Sequence, residues 1–181
     1  MKRFFLPSAI LLIFGTLFFG VIYPFFIWTI AHILFPWQAE GSPVVDQGKV
    51  VGLYYVGQSF SDDRYFWSRP SWGYRVKGVE VSGGSNLSWL SPLLRANVEH
   101  RSRMWEGNVP EDMIMASASG CDPEISVRAA LAQVPRIARV RGASVESLHD
   151  LVLQCEEECG ELFPRRVNLL RLNHELDQVT P

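Results

Sequence analysis

The residues of this chain whose types can do chemistry fall into a few short groups. The string Ser82-Gly83-Gly84-Ser85-Asn86 is small and polar. Its backbone N–H groups can cradle a phosphate. The same spacing also describes a tight turn whose glycines take φ > 0. Arg128, Arg136, Arg139 and Arg141 lie close together in the sequence. They read either as phosphate contacts or as a solvated face opposite Glu146, Asp150, Glu156, Glu157, Glu158 and Glu161. Cys155 and Cys159 are four apart on a predicted helix. A zinc site needs two more ligands nearby, and a disulfide within one helical turn is strained. Two unpaired thiols are therefore expected, with Cys121 packed in the core.

The remaining tests exclude classes. His32, His100, His149 and His174 form no H-x-x-x-H pair, so no metal site is expected. His149 and Asp150 are adjacent on a predicted helix and point to different faces. There is no G-x-x-x-x-G-K-[ST] string and no G-x-S-x-G elbow. Glu156, Glu157 and Glu158 read as an exposed helix end, not as a catalytic carboxylate pair. No catalytic residue is assigned, and the chain by itself is not expected to be an enzyme. With 17 basic and 19 acidic residues its net charge is −2. A general nucleic-acid binder needs a basic footprint, so that class is excluded as well. Asn86-Leu87-Ser88 matches a glycosylation sequon, a three-residue signal of little weight.

These groups must be held by the elements around them. No Asp, Glu, Lys or Arg occurs from Phe4 to Ala39, and eight of the 11 Phe fall in that stretch. A bilayer core of about 30 Å takes roughly 20 apolar residues as helix, so the run is one span, with its centre at residues 6–30. Pro24 is expected to kink it. Gly15 and Gly20 are candidate surfaces for close approach of another helix. A signal peptide has an apolar region of about 7–15 residues; this one is far longer, so a retained anchor is expected. Lys2 and Arg3 precede the run, whereas Glu40 and Asp46 outnumber Lys49 after it. That asymmetry places the N-terminus in the cytoplasm and the following domain outside.

Beyond the linker Gly41-Ser42-Pro43, residues 49–57 read as a strand and residues 58–92 as a long aromatic-rich loop. Helices follow. One opens at Ser91-Pro92 and reaches about Trp105; a short one starts at Pro110. A third runs over 127–141, capped by Ser126, interrupted by Pro135 and ended by Gly142. A fourth is capped by Ser144. A short strand at 167–170 leads into a last helix to Asp177. In that third helix Gln133 lies one position off the stripe Ala130, Val134, Ile137, so it borders the core and supports the proline kink or a partner contact. The fold class is α+β: one N-terminal transmembrane helix (1–41 with its tail and extension), then a single helix-rich soluble domain with a small sheet (42–181).

Longer strings carry a resemblance. They are Val56-Gly57-Gln58-Ser59-Phe60, Tyr65-Phe66-Trp67-Ser68-Arg69-Pro70-Ser71 and Ser82-Gly83-Gly84-Ser85-Asn86-Leu87. Ala116 to Ser126, Ala129 to Gly142 and Arg166-Val167-Asn168-Leu169-Leu170-Arg171-Leu172-Asn173 follow. In order and spacing they resemble the C subunit of the bacterial high-affinity potassium-transporting P-type ATPase, over nearly the whole chain. The chain departs from that pattern at Ser68, Cys121 and Glu124. The resemblance implies a non-catalytic subunit of an ATP-driven potassium importer in the inner membrane. Its partners are a channel-like potassium-binding subunit, an ATP-hydrolysing subunit and the lipid bilayer. The absence of a D-K-T-G string agrees with this. No covalent cofactor is implied; potassium is the transported ion, and ATP is reached through the complex. The family's C subunit is described as a catalytic chaperone that raises the pump's affinity for ATP. The Gly-Gly-Ser loop (Ser82, Gly83, Gly84, Ser85, Asn86) and Gln133, with Arg136 beside it, become candidates for nucleotide or partner contact. An exported domain cannot touch cytoplasmic ATP, so indirect coupling is the leading expectation. A direct nucleotide-binding module is the alternative.

Overall fold

The computed structural model describes residues 2–71, 74–76, 79–105, 107–157 and 164–179. The chain divides into two units, Met1–Val51 and Gly52–Pro181. In the first, a long uncharged sequence can satisfy its backbone in lipid only as helix. Helix α1 (Lys2–Leu17), a π-helical segment (Phe18–Ile22) and helix α2 (Tyr23–Leu34) follow one another without a gap. The apolar stretch Phe4–Leu34 has 31 residues, long and apolar enough to cross a membrane. It extends past both ends of the centre read from the sequence. The π segment ends at Ile22, two residues before Pro24. Proline lacks the N–H that would bond one turn back, and its ring crowds that carbonyl. A wider turn relieves both, so the disturbance is located in residues 18–22.

A short helix α3 (Pro36–Ala39) and strands β1 (Pro43–Asp46) and β2 (Lys49–Leu53) follow. The strands pair as a two-stranded sheet. Gln47 and Gly48, between them, both have positive φ, 47° and 77°, as a two-residue hairpin turn of type I′ requires. The Trp37 indole donates to the Pro43 carbonyl at 3.1 Å. Strand β2 stops at Leu53, short of the Gly57 expected from composition. The Val56 N–H turns back to the Leu53 carbonyl at 3.2 Å, and Tyr54 and Tyr55 stack edge to face there.

In the second unit the loop 58–92 is not wholly irregular. Strands β3 (Tyr74–Val76) and β4 (Val79–Val81) pair antiparallel, with Arg75 opposite Glu80. Helix α4 (Pro92–Ser102) ends before the expected Trp105. Ser91 takes the extended backbone of a cap, but its side chain makes no cap bond. Helix α5 (Glu111–Ile114) is one turn. Strand β5 (Glu124–Ser126) leads into α6 (Val127–Arg141), then α7 (Val145–Gln154), β6 (Glu156–Glu157), β7 (Arg166–Asn168) and α8 (Leu169–Val179). Strand β7 is central in the antiparallel sheet β5-β7-β6, with Ile125 opposite Val167.

The caps of α6 and α7 are those read from the sequence. Ser126 accepts from the Ala129 N–H and Ser144 from the Ser147 N–H. Gly142 at φ 66° ends α6, and the Ala143 N–H closes the turn on the Ala138 carbonyl at 3.1 Å. Pro135 does not interrupt α6; its ring is exposed. Ala129, Ala130, Val134 and Ile137 of α6 are buried with Leu148 and Val152 of α7, Val167 of β7, and Leu172 and Leu176 of α8. Two assignments change at the end of α7. Cys155 is its C-cap, not part of a longer helix. Glu156 and Glu157 are half-buried strand residues, not an exposed helix end. Glu158, Cys159 and Glu161 lie outside the described residues.

Candidate functional site

The segment 60–71, aromatic and without regular structure, is held by side chains of α6 and α8. Two primary amides do most of this. On α8, Asn173 Oδ1 accepts the Phe66 N–H at 2.9 Å, and its Nδ2 donates to the Phe66 carbonyl at 3.0 Å. On α6, Gln133 Oε1 accepts the Trp67 N–H at 2.6 Å, and its Nε2 donates to the Trp67 carbonyl at 3.3 Å. Each amide supplies the donor and acceptor that a neighbouring strand would otherwise provide. Between them the Phe66 ring is fully buried. Gln133 and Asn173 are themselves 1% and 2% exposed.

One turn along α6, Arg136 completes the arrangement. Its guanidinium lies 3.8 Å from the centre of the Trp67 ring and donates to the Asp63 and Tyr65 carbonyls and to Gln133 Oε1. Burial pulls its pKa below the ordinary arginine value; the Asp63 and Asp62 carboxylates oppose that shift. Arg141 donates to the Arg64 carbonyl at 2.8 Å and to Asp177 at 2.7 Å. Tyr65 reaches the other oxygen of Asp177 at 3.0 Å. Gln133 thus faces the aromatic segment, not a proline kink. Arg136 binds the Asp63 and Tyr65 carbonyls, and Arg141 binds the Arg64 carbonyl and Asp177 of α8. Arg128 and Arg139 are exposed.

The Ser82–Asn86 string is built differently from the turn read in the sequence. Among its residues the positive φ belongs to Asn86, at 52°, and not to the glycines. Gly84 serves close approach, whereas a Cβ on Gly83 would meet nothing within 4 Å. The Gly83 N–H donates to the Ser119 carbonyl at 2.8 Å, and Ser82 Oγ donates to the same oxygen at 2.8 Å. A Cβ on Gly84 would come within 2.9 Å of the Ala118 carbonyl, and one on Gly120 within 2.6 Å of the Gly83 carbonyl. Ser85 Oγ accepts the Leu87 N–H at 3.4 Å. The string is thereby laid against residues 117–120, far along the sequence from Gln133 and Arg136, and no bond joins it to them among the described residues.

Sequence reasoning missed the cleft next to this contact, about 540 Å³. Gly57, Ser68, Ser71, Gly120, Cys121 and Asp122 line it, with Arg69, which is ion-paired to Asp122. Cys121 is half-exposed on its wall, not in the core. A Cβ on Gly57 would sit 2.4 Å from the Asp122 carbonyl oxygen, so only glycine fits there. Also unforeseen is the bond from the Tyr54 hydroxyl to Glu157. Burial, and then Glu157, push the Tyr54 pKa up to about 12. Burial likewise raises the Cys155 thiol. Among the described residues no group of three or more His, Cys, Asp or Glu is arranged to hold a metal.

Phe66, Trp67, Arg69, Ser119, Asp122, Gln133, Arg136, Arg141 and Asn173, which make these contacts, belong to strings that carry the resemblance: 65–71, 116–126, 129–142 and 166–173. Comparison with known proteins decides the family. A family model described as "K+-transporting ATPase, c chain" matches residues 5–178. The chain belongs to that family. It is 41% identical to the potassium-transporting ATPase KdpC subunit of Geotalea uraniireducens, over 96% of the chain and 97% of the relative. It is 42% identical to the same subunit of Janthinobacterium sp. (strain Marseille), over 98% and 100%. With that of Polaromonas naphthalenivorans the identity is 42%, over 100% and 97%. In the second unit Gln133, Asn173 and Arg136 hold segment 60–71, and the Gly83 N–H ties the Gly-Gly loop to Ser119.

Proposed function

We propose that this chain is the non-catalytic accessory subunit of an ATP-driven potassium importer in the bacterial inner membrane. Its N-terminal helix packs beside a channel-like potassium-binding subunit, and its second unit lies outside the cytoplasm. It raises the ATP affinity of the ATP-hydrolysing subunit by coupling through the complex. The observation that supports indirect coupling is the employment of the candidate contact groups. Both ends of the Gln133 amide bind Trp67, Arg136 binds carbonyls and Gln133, and the Gly83 N–H binds Ser119. Triphosphate recognition depends on charge-assisted donors aimed at the ligand; these donors are aimed into the fold.

Coupling between sites is a free energy of about 1–3 kcal/mol, or roughly 5- to 150-fold in affinity. The full-length chain in detergent should show no saturable binding of ATP at millimolar concentration. The assembled pump without it should need several-fold more ATP for half-maximal turnover. Saturable ATP binding by the isolated full-length chain overturns the indirect route. An unchanged ATP requirement overturns the chaperone role itself.

A further inference from the structure

The large apolar side chains Trp89, Leu90 and Leu93 of the second unit are exposed and take no part in the contacts described above. From Val81 to Leu94 the sequence carries no formal charge. Within it, Ser88 closes a turn: its carbonyl accepts the Ser91 N–H at 2.8 Å and its hydroxyl the Leu90 N–H at 3.3 Å. The turn holds Trp89 and Leu90 outward, 84% and 70% exposed, with Leu93 at 50% one step into α4. An exposed cluster of large apolar side chains marks a contact that the isolated fold does not make. We infer that this turn dips into the interfacial layer of the bilayer that the chain's own apolar helix enters, as a second and reversible membrane contact.

Shape and charge favour lipid over a protein groove. Energetic centres of protein interfaces lie within a patch ringed by polar residues that exclude water. Here the two largest side chains stand on the tip of a turn, where an indole with its polar N–H matches the headgroup boundary. The first charge after the tip is Arg95, exposed and joined through its N–H to the Ser91 carbonyl at 3.2 Å. Farther along α4 the Arg101 guanidinium is bound to the Ile114 carbonyl at 2.9 Å, and Arg103 follows at the C-cap. A cation just behind an apolar tip complements anionic headgroups. Tethering by the helix keeps the lipid surface at high effective concentration, so a small tip suffices.

The test uses the full-length chain with Cys121→Ser, Cys155→Ala and Cys159→Ser, carrying an environment-sensitive NBD dye at Leu90→Cys. The control carries it at Leu153→Cys, exposed on α7. Both are reconstituted in vesicles of phosphatidylcholine, alone or mixed with phosphatidylglycerol. The dye at position 90 is expected to shift to the blue and to be quenched by shallow nitroxide-labelled lipid, and the dye at 153 is not. Trp89→Ser should reduce the inserted fraction. Arg95→Gln should lower the ratio of inserted to free about fivefold in the phosphatidylglycerol vesicles only. A water-like spectrum at position 90 in both vesicles overturns the inference. A shift that appears only after the other pump subunits are added overturns it too and assigns the tip to a protein partner.

Discussion

Gln133 shows how a side chain's hydrogen bonds define its role. It is 1% exposed and holds both polar groups of the Trp67 backbone. Removing its amide leaves the part-buried Trp67 N–H and C=O without these partners, each costing about 1–3 kcal/mol. Gln133→Ala is therefore expected to destabilise the second unit by about 2–4 kcal/mol, read by urea unfolding of the full chain in detergent. A stability unchanged from wild type contradicts the clamp. Tyr54 gives a prediction in pH. Its pKa is raised in the folded state, so at high pH the folded chain holds the phenolic proton that the unfolded chain has lost. The stability it contributes is complete below pH 10, the ordinary value, and is lost as pH rises through about 12. Tyr54→Phe should flatten the alkaline fall in stability between those limits. The difference between the two unfolding profiles isolates this residue from the other tyrosines.

At the scale of elements, two serines of the same type at two helix starts separate sequence signal from use. Ser126 accepts the Ala129 N–H at 3.0 Å and donates to Asp112 at 3.2 Å; Ser91 makes no cap bond. Ser126→Ala should cost about 1 kcal/mol or more, and Ser91→Ala a few tenths at most, measured by thermal unfolding of the same preparation. Equal losses refute the distinction. In the apolar helix, a Cβ on Gly15 or Gly20 would meet nothing within 4 Å. The isolated chain therefore accepts larger residues at both positions. Gly20→Leu is expected to leave the stability of the isolated chain unchanged and to weaken co-purification with the other pump subunits. Full recovery of the complex would take this helix face out of the interface.

At the scale of the whole molecule, the charges flanking the apolar helix set its expected direction. Lys2 and Arg3 on one side of the apolar helix, against Glu40 and Asp46 on the other, predict an exported second unit. A reporter active only outside the cytoplasm, fused after Pro181, should be active. Activity of a cytoplasm-only reporter at the same site reverses the topology and restores direct access to ATP.

The sequence by itself determined what depends on local or one-dimensional information. An uncharged apolar run must be helix in lipid. Ser126, Ser144 and Gly142 specify the ends of α6 and α7 through bonds to neighbouring backbone. The stripe Ala130, Val134, Ile137 faces a core because helical geometry places those positions on one side. The strings around residues 65–71, 129–142 and 166–173 named the family. Only the tertiary structure decided which polar groups meet across long sequence separations. Nothing local in Gln133 says that it binds Trp67, or in Asn173 that it binds Phe66, or in Arg69 that it pairs with Asp122. Those partners lie 66, 107 and 53 residues apart. The glycine at 84 carried the same ambiguity. A phosphate cradle, a left-handed turn and a close approach of two backbones all require the missing Cβ, and only the position of residues 118–120 selects the last.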